Sequence, residues 1–278
     1  MKVQHLPKDS HIPALCYHHV IPENAPIKTG FEDHPFSVTI TRFEKQMQRL
    51  ADSGYRPILP EALLQVIKGQ RSADEEKKGK PVLITFDDGW QNNYHYAMPV
   101  LRAFGFVATI FVIAGRIGEP DYMTLEQVAQ LAEEGFGIES HTCNHRPLQP
   151  LEDTEVEIEL GKSRQILEDV TQKQIEFISY PHGSYSKRVI NSCRRVGYKA
   201  AFSSDFGYAT ASSHEFRLPR LMIKKGHSLE YFESVCAGDN LISRKAMLLD
   251  FAKKRIMKSM GVTVYNRLYR LRNNLKSD

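Results

Sequence analysis

The stretch Pro81-Val-Leu-Ile-Thr-Phe-Asp-Asp-Gly89 decides the fold, because an apolar run leads directly into two carboxylates and a glycine. A short continuous apolar run is typical of a strand that is buried on both faces of a parallel sheet. Polar side chains that directly follow such a strand lie at the carboxyl-terminal edge of the sheet, where α/β proteins bind their ligands. The stretch therefore predicts a buried strand that ends in a functional site.

The flanking sequence alternates between strand and helix patterns. Apolar runs predict strands over residues 12–20, 106–113, 137–140, 175–180 and 199–203. Apolar residues at 3–4 spacing predict helices over residues 41–53, 124–135, 152–168 and 187–195. Roughly seven βα units in about 230 residues favour a closed or nearly closed barrel over a Rossmann sheet. No Gly-rich phosphate loop follows a strand, so the sequence does not indicate a nucleotide cofactor.

Composition places the chain among globular proteins. Of its 278 residues, 41% are hydrophobic and 25% are charged. The four cysteines (Cys16, Cys143, Cys193 and Cys236) form no C-x-x-C pair, so a disulfide framework is not expected. The first residues lack the apolar run of a secretory signal, and the sequence has no apolar span of 18 residues. We therefore expect a cytoplasmic protein.

Basic residues are concentrated at the end of the chain. Residues 243–278 carry ten Lys or Arg against two Asp, whereas the rest of the chain carries 27 basic and 31 acidic residues. Apolar residues between the basic ones recur at 3–4 spacing, which predicts a basic amphipathic helix with a break near Gly261. Such a helix either lies on an anionic membrane surface or packs on the barrel with its basic face in water. We predict a domain over 1–242 and a helical tail over 243–278. Nucleic acid is not an expected partner, because the barrel is acidic.

The paired carboxylates Asp87 and Asp88 have two interpretations. Adjacent carboxylates at a strand end repel each other unless a cation is held there, and Gly89 lets the backbone turn so that both reach one site. The alternative is a helix N-cap with a solvated neighbour.

Two histidines favour the cation. His141 and His145 follow a predicted strand and would share one face if the segment began a helix. Such a pair alone is often unremarkable. Together with an aspartate at another strand end it favours a metal site, because one Asp and two His leave positions open for water and substrate. Zinc is the default metal, and Fe(II), Ni or Co suit the same ligands.

A third cluster, Tyr180-Pro-His-Gly183, follows another predicted strand. Its Pro and Gly fix a turn that could aim a backbone N–H at a developing oxyanion. The alternative is an ordinary barrel turn.

In this order, the segments resemble the polysaccharide deacetylases of the NodB-homology group, carbohydrate esterase family 4, over about residues 14–235. The resemblance rests most specifically on Thr85-Phe-Asp-Asp-Gly89 with His141-Thr-x-x-His145. Further segments look like the branch of exopolysaccharide and biofilm poly-N-acetylglucosamine deacetylases: Leu15-Cys-Tyr-His-His19, Phe36-Ser-Val-Thr39 and Tyr180-Pro-His-Gly183.

The resemblance implies a distorted (β/α)7 barrel, here with a basic helical extension at its C-terminus, and a role for each residue of the motifs. Asp87 would be the general base, and Asp88, His141 and His145 would bind one divalent metal. The turn formed by Tyr180, Pro181 and His182 would contact the substrate, with a backbone N–H near His182 helping to stabilise the oxyanion.

Two features depart from the family pattern. Many relatives have an arginine shortly before the Pro of the third motif that orients the base, and residues 176–180 contain none. We therefore expect the base to be oriented by another group. The acid is often a His two residues after Leu-x-Ile, but here Lys224 and Lys225 follow Ile223 and His227 comes two positions late. We place the acid on His18, with His227 and His182 as alternatives. An equally weighted alternative is that His18 is a structural histidine that is hydrogen-bonded to a backbone carbonyl.

The expected activity is metal-dependent removal of acetyl groups from N-acetylated sugars of an exopolysaccharide or its precursor, at the inner face of the membrane if the tail binds there. One alternative keeps the fold but changes the substrate to peptidoglycan, chitin-like oligomers or a small amide. Another is a catalytically inactive carbohydrate-binding protein.

Overall fold

The computed structural model describes residues 11–23, 34–70 and 79–238, together with Leu248. The chain divides into one compact unit spanning Met1–Gly238 and a second spanning Asp239–Asp278. Apart from Leu248, the predicted tail over 243–278 lies outside the described residues, and so does the predicted boundary at 242. Both remain predictions. No helix in the described ranges is long and apolar enough to span a bilayer.

The strands within the described ranges are short and mostly buried. They are β1 Ala14–Tyr17, β2 His19–Ile21, β3 Ser37–Thr39, β4 Tyr55–Ile58, β5 Lys80–Asp88, β6 Thr109–Val112, β7 Gly137–Ser140, β8 Phe177–Ser179, β9 Ala200–Phe202 and β10 Leu221–Met222. The predicted strand over 12–20 is in fact two strands, β1 and β2, and the break between them falls at His18.

Helices connect most of these strands. They are α1 Ile40–Asp52, α2 Pro60–Ile67, α3 Met98–Ala103, α4 Leu125–Glu133, α5 Asp153–Thr171, α6 Lys187–Val196 and α7 Leu229–Ala237. A π-helical turn, Asn93–Ala97, precedes α3, and 3-10 turns occupy Ala114–Arg116 and Pro181–Gly183. Helix α1 begins one residue before its predicted start, because the Thr39 hydroxyl accepts a hydrogen bond from the Arg42 N–H and caps the helix there.

The main sheet is parallel and curls towards closure. Its strand order is β10-β1-β5-β6-β7-β8-β9, with β4 beside the long strand β5. Leu218, just before β10, pairs in parallel with Phe202 of β9, so the two ends of the sheet approach each other. Phe111 and Phe202 are fully buried within the core, with ring centroids 5.3 Å apart. This arrangement confirms the predicted distorted (β/α)7 barrel.

Parallel pairing aligns the carboxyl-terminal ends of the central strands. Asp87 pairs with Phe111 of β6, and Asp88 pairs with Val112. In the next pair of strands, β6 and β7, Val112 lies opposite Ser140, the last residue of β7. The residues that directly follow β5 and β7 therefore emerge at one rim of the barrel.

Candidate active site

Asp87 and Asp88 end strand β5 but do not point in opposite directions as strand neighbours normally would. The backbone turns into the left-handed region at Asp88, with φ 77°, and continues there at Gly89, with φ 81°. A Cβ atom at Gly89 would lie 3.0 Å from Cγ1 of Val112, so Val112 would have to shift, and the positive φ would strain any other residue there. The turn brings both carboxylates to one site.

His141 and His145 follow β7 in a loop, so the helix that was one way of aligning them is not present. Thr142 and His145 have positive φ, 66° and 57°, and the His145 N–H donates to the Thr142 hydroxyl at 3.0 Å. This left-handed turn, rather than helical periodicity, brings the imidazole centroids within 4.8 Å of each other.

The structure brings the three predicted metal ligands together. Oδ1 of Asp88 lies 3.4 Å from Nε2 of His141 and 3.5 Å from Nε2 of His145. Ligand atoms about 2.1 Å from a tetrahedral zinc ion are separated by about 3.4 Å, as follows from the bond length and the tetrahedral angle. The three side chains therefore fit a single divalent ion.

A hydrogen bond outside the ligand group fixes the tautomer of His141. Its Nδ1 lies 2.7 Å from the carbonyl oxygen of Ser179, which can only accept a hydrogen bond. Nδ1 must therefore carry the proton, which leaves the lone pair of Nε2 free to coordinate.

Arg220 holds the Asp87 carboxylate at both oxygens. Its Nη1 and Nη2 each donate at 2.7 Å, to Oδ1 and Oδ2. The guanidinium is fully buried and also donates to the hydroxyls of Ser179 and Thr85 and to the Ser203 carbonyl. Arg220 thus supplies an arginine partner for Asp87, which residues 176–180 do not. A planar fork matched to a carboxylate fixes both its position and its orientation.

Both carboxylates of the site are ionised at neutral pH. Burial raises the pKa of Asp87, but the charges of Arg220 and His141 outweigh it, and the pKa lies well below its ordinary value. Burial likewise raises the pKa of Asp88, but its hydrogen bond to His141 and the nearby histidine charges bring the pKa down. Burial lowers the pKa of His145 to about 4, so this imidazole is neutral at pH 7. The charge of Asp87 is therefore balanced by Arg220, whereas the carboxylate of Asp88 lies beside the imidazoles of His141 and His145.

His18 lies on the same rim, at the break between β1 and β2. One of its ring nitrogens lies within 4.8 Å of both a carboxylate oxygen of Asp87 and the Cys16 sulfur. Its Nδ1 is buried without a hydrogen-bond partner among the described residues. Desolvation lowers the pKa of His18 although both aspartates raise it, so the ring is neutral at pH 7.

The remaining residues predicted for the site are His182, Tyr180 and His227. The exposed ring of His182 is 4.6 Å from that of His145, in a 3-10 turn that begins at Pro181. The side chain of Tyr180 is buried, and its hydroxyl donates to the Phe216 carbonyl. His227 packs against Tyr231, with ring centroids 4.3 Å apart.

Sequence reasoning missed three residues that contact the site: Arg220, Cys16 and Trp90. The Cys16 thiol is fully buried and donates to Oδ2 of Asp87 at 3.6 Å, and the indole N–H of Trp90 donates to Oδ2 of Asp88 at 2.9 Å. Two weak signals were present in the sequence. Arg220 directly precedes a short apolar run, and Trp90 directly follows the Asp-Asp-Gly turn.

Comparisons with known proteins agree with the fold and with the motifs. A family model described as polysaccharide deacetylase matches residues 74–201. The Bacillus subtilis protein YxkH, named provisionally as a polysaccharide deacetylase, is 32% identical over 222 residues, 80% of this chain and 74% of that protein. A poly-β-1,6-N-acetyl-D-glucosamine N-deacetylase of Staphylococcus aureus is 25% identical over 206 residues, 68% of each chain.

A solved structure gives the same result. The Streptococcus pyogenes deacetylase PplD, determined in complex with acetate, superposes with a TM-score of 0.71 at 27% identity, over 79% of this chain and 95% of that one. Similarity of this extent in sequence and in fold, together with the rim motifs in place, shows that the chain belongs to the polysaccharide deacetylase family.

Proposed function

We propose that the chain is a metal-dependent deacetylase that removes acetyl groups from N-acetylated sugars of an exopolysaccharide or its precursor. The observation that carries the proposal is the group of Asp88, His141 and His145. Oδ1 of Asp88 lies 3.4 and 3.5 Å from the two histidine nitrogens, a separation that ligands of one ion have, and Arg220 holds the neighbouring Asp87. The name of the Staphylococcus aureus relative supports an N-acetylglucosamine polymer as the substrate class.

In this proposal, Asp88, His141 and His145 hold one divalent ion, with zinc as the default and Ni, Co or Fe as alternatives. Such an ion, when bound, supplies a Lewis acid and lowers the pKa of water towards 7. Ser179 fixes the tautomer of His141 through its carbonyl. The neutral state of His145 at pH 7 makes its Nε2 available without the loss of a proton.

Asp87 acts as the base. Arg220 keeps the carboxylate ionised and aimed, so that it accepts the proton of the water that attacks the acetyl carbon. A new C–O bond forms and the C–N bond breaks, which releases acetate and a free amine. Because its pKa is low, Asp87 readily gives up the proton that it has gained.

His18 takes up the proton that Asp87 gives up and passes it to the leaving nitrogen. It lies within 4.8 Å of Asp87 and responds to the charges of both aspartates, whereas the charge that acts on His227 is that of Lys224. His182 is the remaining alternative, because its ring contacts that of His145. In this proposal, the turn formed by Tyr180, Pro181 and His182 borders the substrate through the exposed His182, because the side chains of Tyr180 and Pro181 are buried.

Acetate release tests the activity. The protein is incubated with poly-N-acetylglucosamine, chitooligosaccharides and peptidoglycan fragments, with and without a chelator. We expect release from the first substrate that stops with the chelator and returns when metal is added. Release from the other polymers alone would shift the proposal to the alternative substrates. Sugar binding without release would favour an inactive binding protein.

Two variants test the assignment of residues. Asp87→Asn should retain bound metal but lose turnover, because removing a general base costs about 10²–10⁴-fold in rate. His141→Ala should lose both the metal and the activity. Near-normal turnover by Asp87→Asn would contradict the assignment of the base.

We further propose that residues 243–278 attach the enzyme peripherally to the inner face of the cell membrane. The support is the sequence alone, in which ten Lys or Arg alternate with apolar residues.

A further inference from the structure

Trp90 is the single tryptophan of the chain, and its indole N–H donates to Oδ2 of Asp88 at 2.9 Å. The other oxygen, Oδ1, lies 3.4 Å and 3.5 Å from the nitrogens of His141 and His145. The two oxygens of this carboxylate therefore have separate partners. One faces the indole, and the other faces the two imidazoles.

The indole is clamped in its orientation. It stacks on Tyr122, with ring centroids 4.3 Å apart and planes inclined by 24°, and a β-bridge joins the backbones of these two residues. The indole also contacts the ring of His19, with the ring centroids 4.8 Å apart. Gly89, which precedes Trp90, accepts a hydrogen bond through its carbonyl from the Met123 N–H. The tryptophan thus bridges two loops at the rim, and its N–H is aimed by packing.

We propose that Trp90 is a positioning residue that reserves Oδ1 of Asp88 as the oxygen offered to the metal, an inference that rests on the metal site of the proposed function. An indole N–H can donate but cannot accept, so it binds the carboxylate and does not compete as a ligand. Its hydrogen bond to an ionised oxygen is charge-assisted and directional. Rotation of the carboxylate about its Cβ–Cγ bond would break this hydrogen bond, so the indole restrains that rotation.

This restraint has a consequence for the open side of the site. A carboxylate whose second oxygen has no other partner can offer both oxygens to an ion, and the second oxygen then occupies a position that water or substrate needs. With Oδ2 held by Trp90, Asp88 would contribute a single oxygen, Oδ1. The stack of Trp90 on Tyr122 thereby connects the shape of the rim to the number of ligands that the protein supplies.

The test removes the N–H and keeps the ring. Because the chain has one tryptophan, replacing Trp90 by β-(3-benzothienyl)alanine changes N–H to sulfur at that position alone. Trp90→Phe is the genetically simpler companion variant. We expect metal affinity, measured by competition with a chromophoric chelator, to fall by about 10–100-fold in both, as for other hydrogen-bond partners of metal ligands.

The visible absorption of the cobalt-loaded protein gives a second readout. It reports the ligands of the metal rather than the stability of the fold. If Trp90 restrains Asp88, the cobalt bands of both variants should shift and weaken, as expected when a further oxygen joins the ligands. Tyr122→Phe is the matched control, because it keeps the stacking partner and leaves the indole N–H in place. It should bind metal as the parent does and show the parent cobalt spectrum.

The outcomes separate this inference from the proposed function. If the parent binds metal and both Trp90 variants bind it with the same affinity and the same cobalt spectrum, the positioning role is overturned. If the parent binds no metal at this site, the proposed function fails first. Thermal melts of the metal-free proteins check folding, and a benzothienyl variant that melts like the parent yet binds metal more weakly supports the inference.

Discussion

The Asp87–Arg220 pair allows a quantitative prediction about stability, because both groups are buried and joined by two hydrogen bonds of 2.7 Å. Arg220→Met removes the guanidinium and keeps most of the side-chain volume. It leaves the Asp87 carboxylate buried, with the hydroxyl of Ser179 and the thiol of Cys16 as its remaining hydrogen-bond donors among the described residues. Breaking a buried ion pair by removing one partner costs about 3–5 kcal/mol.

We expect the lower end of that range, about 3 kcal/mol. Nε2 of His141 lies 3.9 Å from Asp87, and the two aspartates raise the pKa of His141 despite its burial, so its charge compensates in part. For a unit of this size the loss corresponds to a decrease in Tm of about 6–12 °C. In urea it corresponds to a midpoint lower by about 1 M or more.

The assay is urea unfolding of the metal-free protein with a chelator present, so that ligand binding does not shift the equilibrium. Arg217→Met is the matched control, because Arg217 is exposed and lies three residues earlier. It should change the free energy of unfolding by less than about 0.5 kcal/mol. Asp87→Asn should lower the free energy of unfolding by less in the Arg220→Met background than in the parent, because in that background it removes an unpaired buried charge.

The dependence on pH follows from the lowered pKa of Asp87. A carboxyl whose pKa is lower in the folded state stabilises the protein above its unfolded pKa of about 3.9, and this stabilisation is lost as the pH falls. Without Arg220 the pKa of Asp87 rises, so the cost of Arg220→Met should shrink as the pH is lowered from 7 to about 5. Additivity of the two substitutions to within about 0.5 kcal/mol, with no change in the cost across this range, would refute the reasoning.

Three further predictions concern the proton donor, the metal and the tail. His18→Gln should lower kcat by about 10²-fold or more with metal affinity unchanged, whereas His227→Gln should not; the reverse pattern would move the acid to His227. Metal affinity should fall as the pH is lowered, because the raised pKa of His141 lets a proton compete for its Nε2; equal affinity at pH 8 and pH 6, by chelator competition, would contradict this. The full chain should bind anionic vesicles in a salt-sensitive way in a sedimentation assay, and deletion of residues 243–278 should abolish the binding; equal binding by the truncated protein would exclude the tail as the anchor.

Local patterns predicted much of the fold correctly. The strand β7 has the predicted bounds, and β5 extends the predicted run by a residue at one end and two at the other. Hydrophobic periodicity is a local property, so it can be read without knowing which strands are neighbours. The curled sheet and its parallel order confirm the barrel that the alternation of elements favoured.

The candidate site was predictable where chemistry and neighbours in sequence coincide. Asp87, Asp88, His141 and His145 were found because each pair occupies one short segment after an apolar run. The conformation of the His141–His145 segment could not be predicted, since it is a turn with left-handed residues at 142 and 145 rather than a helix. A non-glycine residue with positive φ leaves no reliable mark on a single sequence.

The sequence by itself determined the class of fold and the family, and it predicted the residues of the proposed metal group, because each depends on residue types at short spacings. Only the tertiary structure decided that Arg220, 133 residues beyond Asp87 in the chain, holds the Asp87 carboxylate and that Trp90 binds one oxygen of Asp88. Such contacts depend on closure of the sheet and on the turns at its rim. Since these bring together groups that no local pattern relates, folding rather than periodicity selects the partners of each carboxylate.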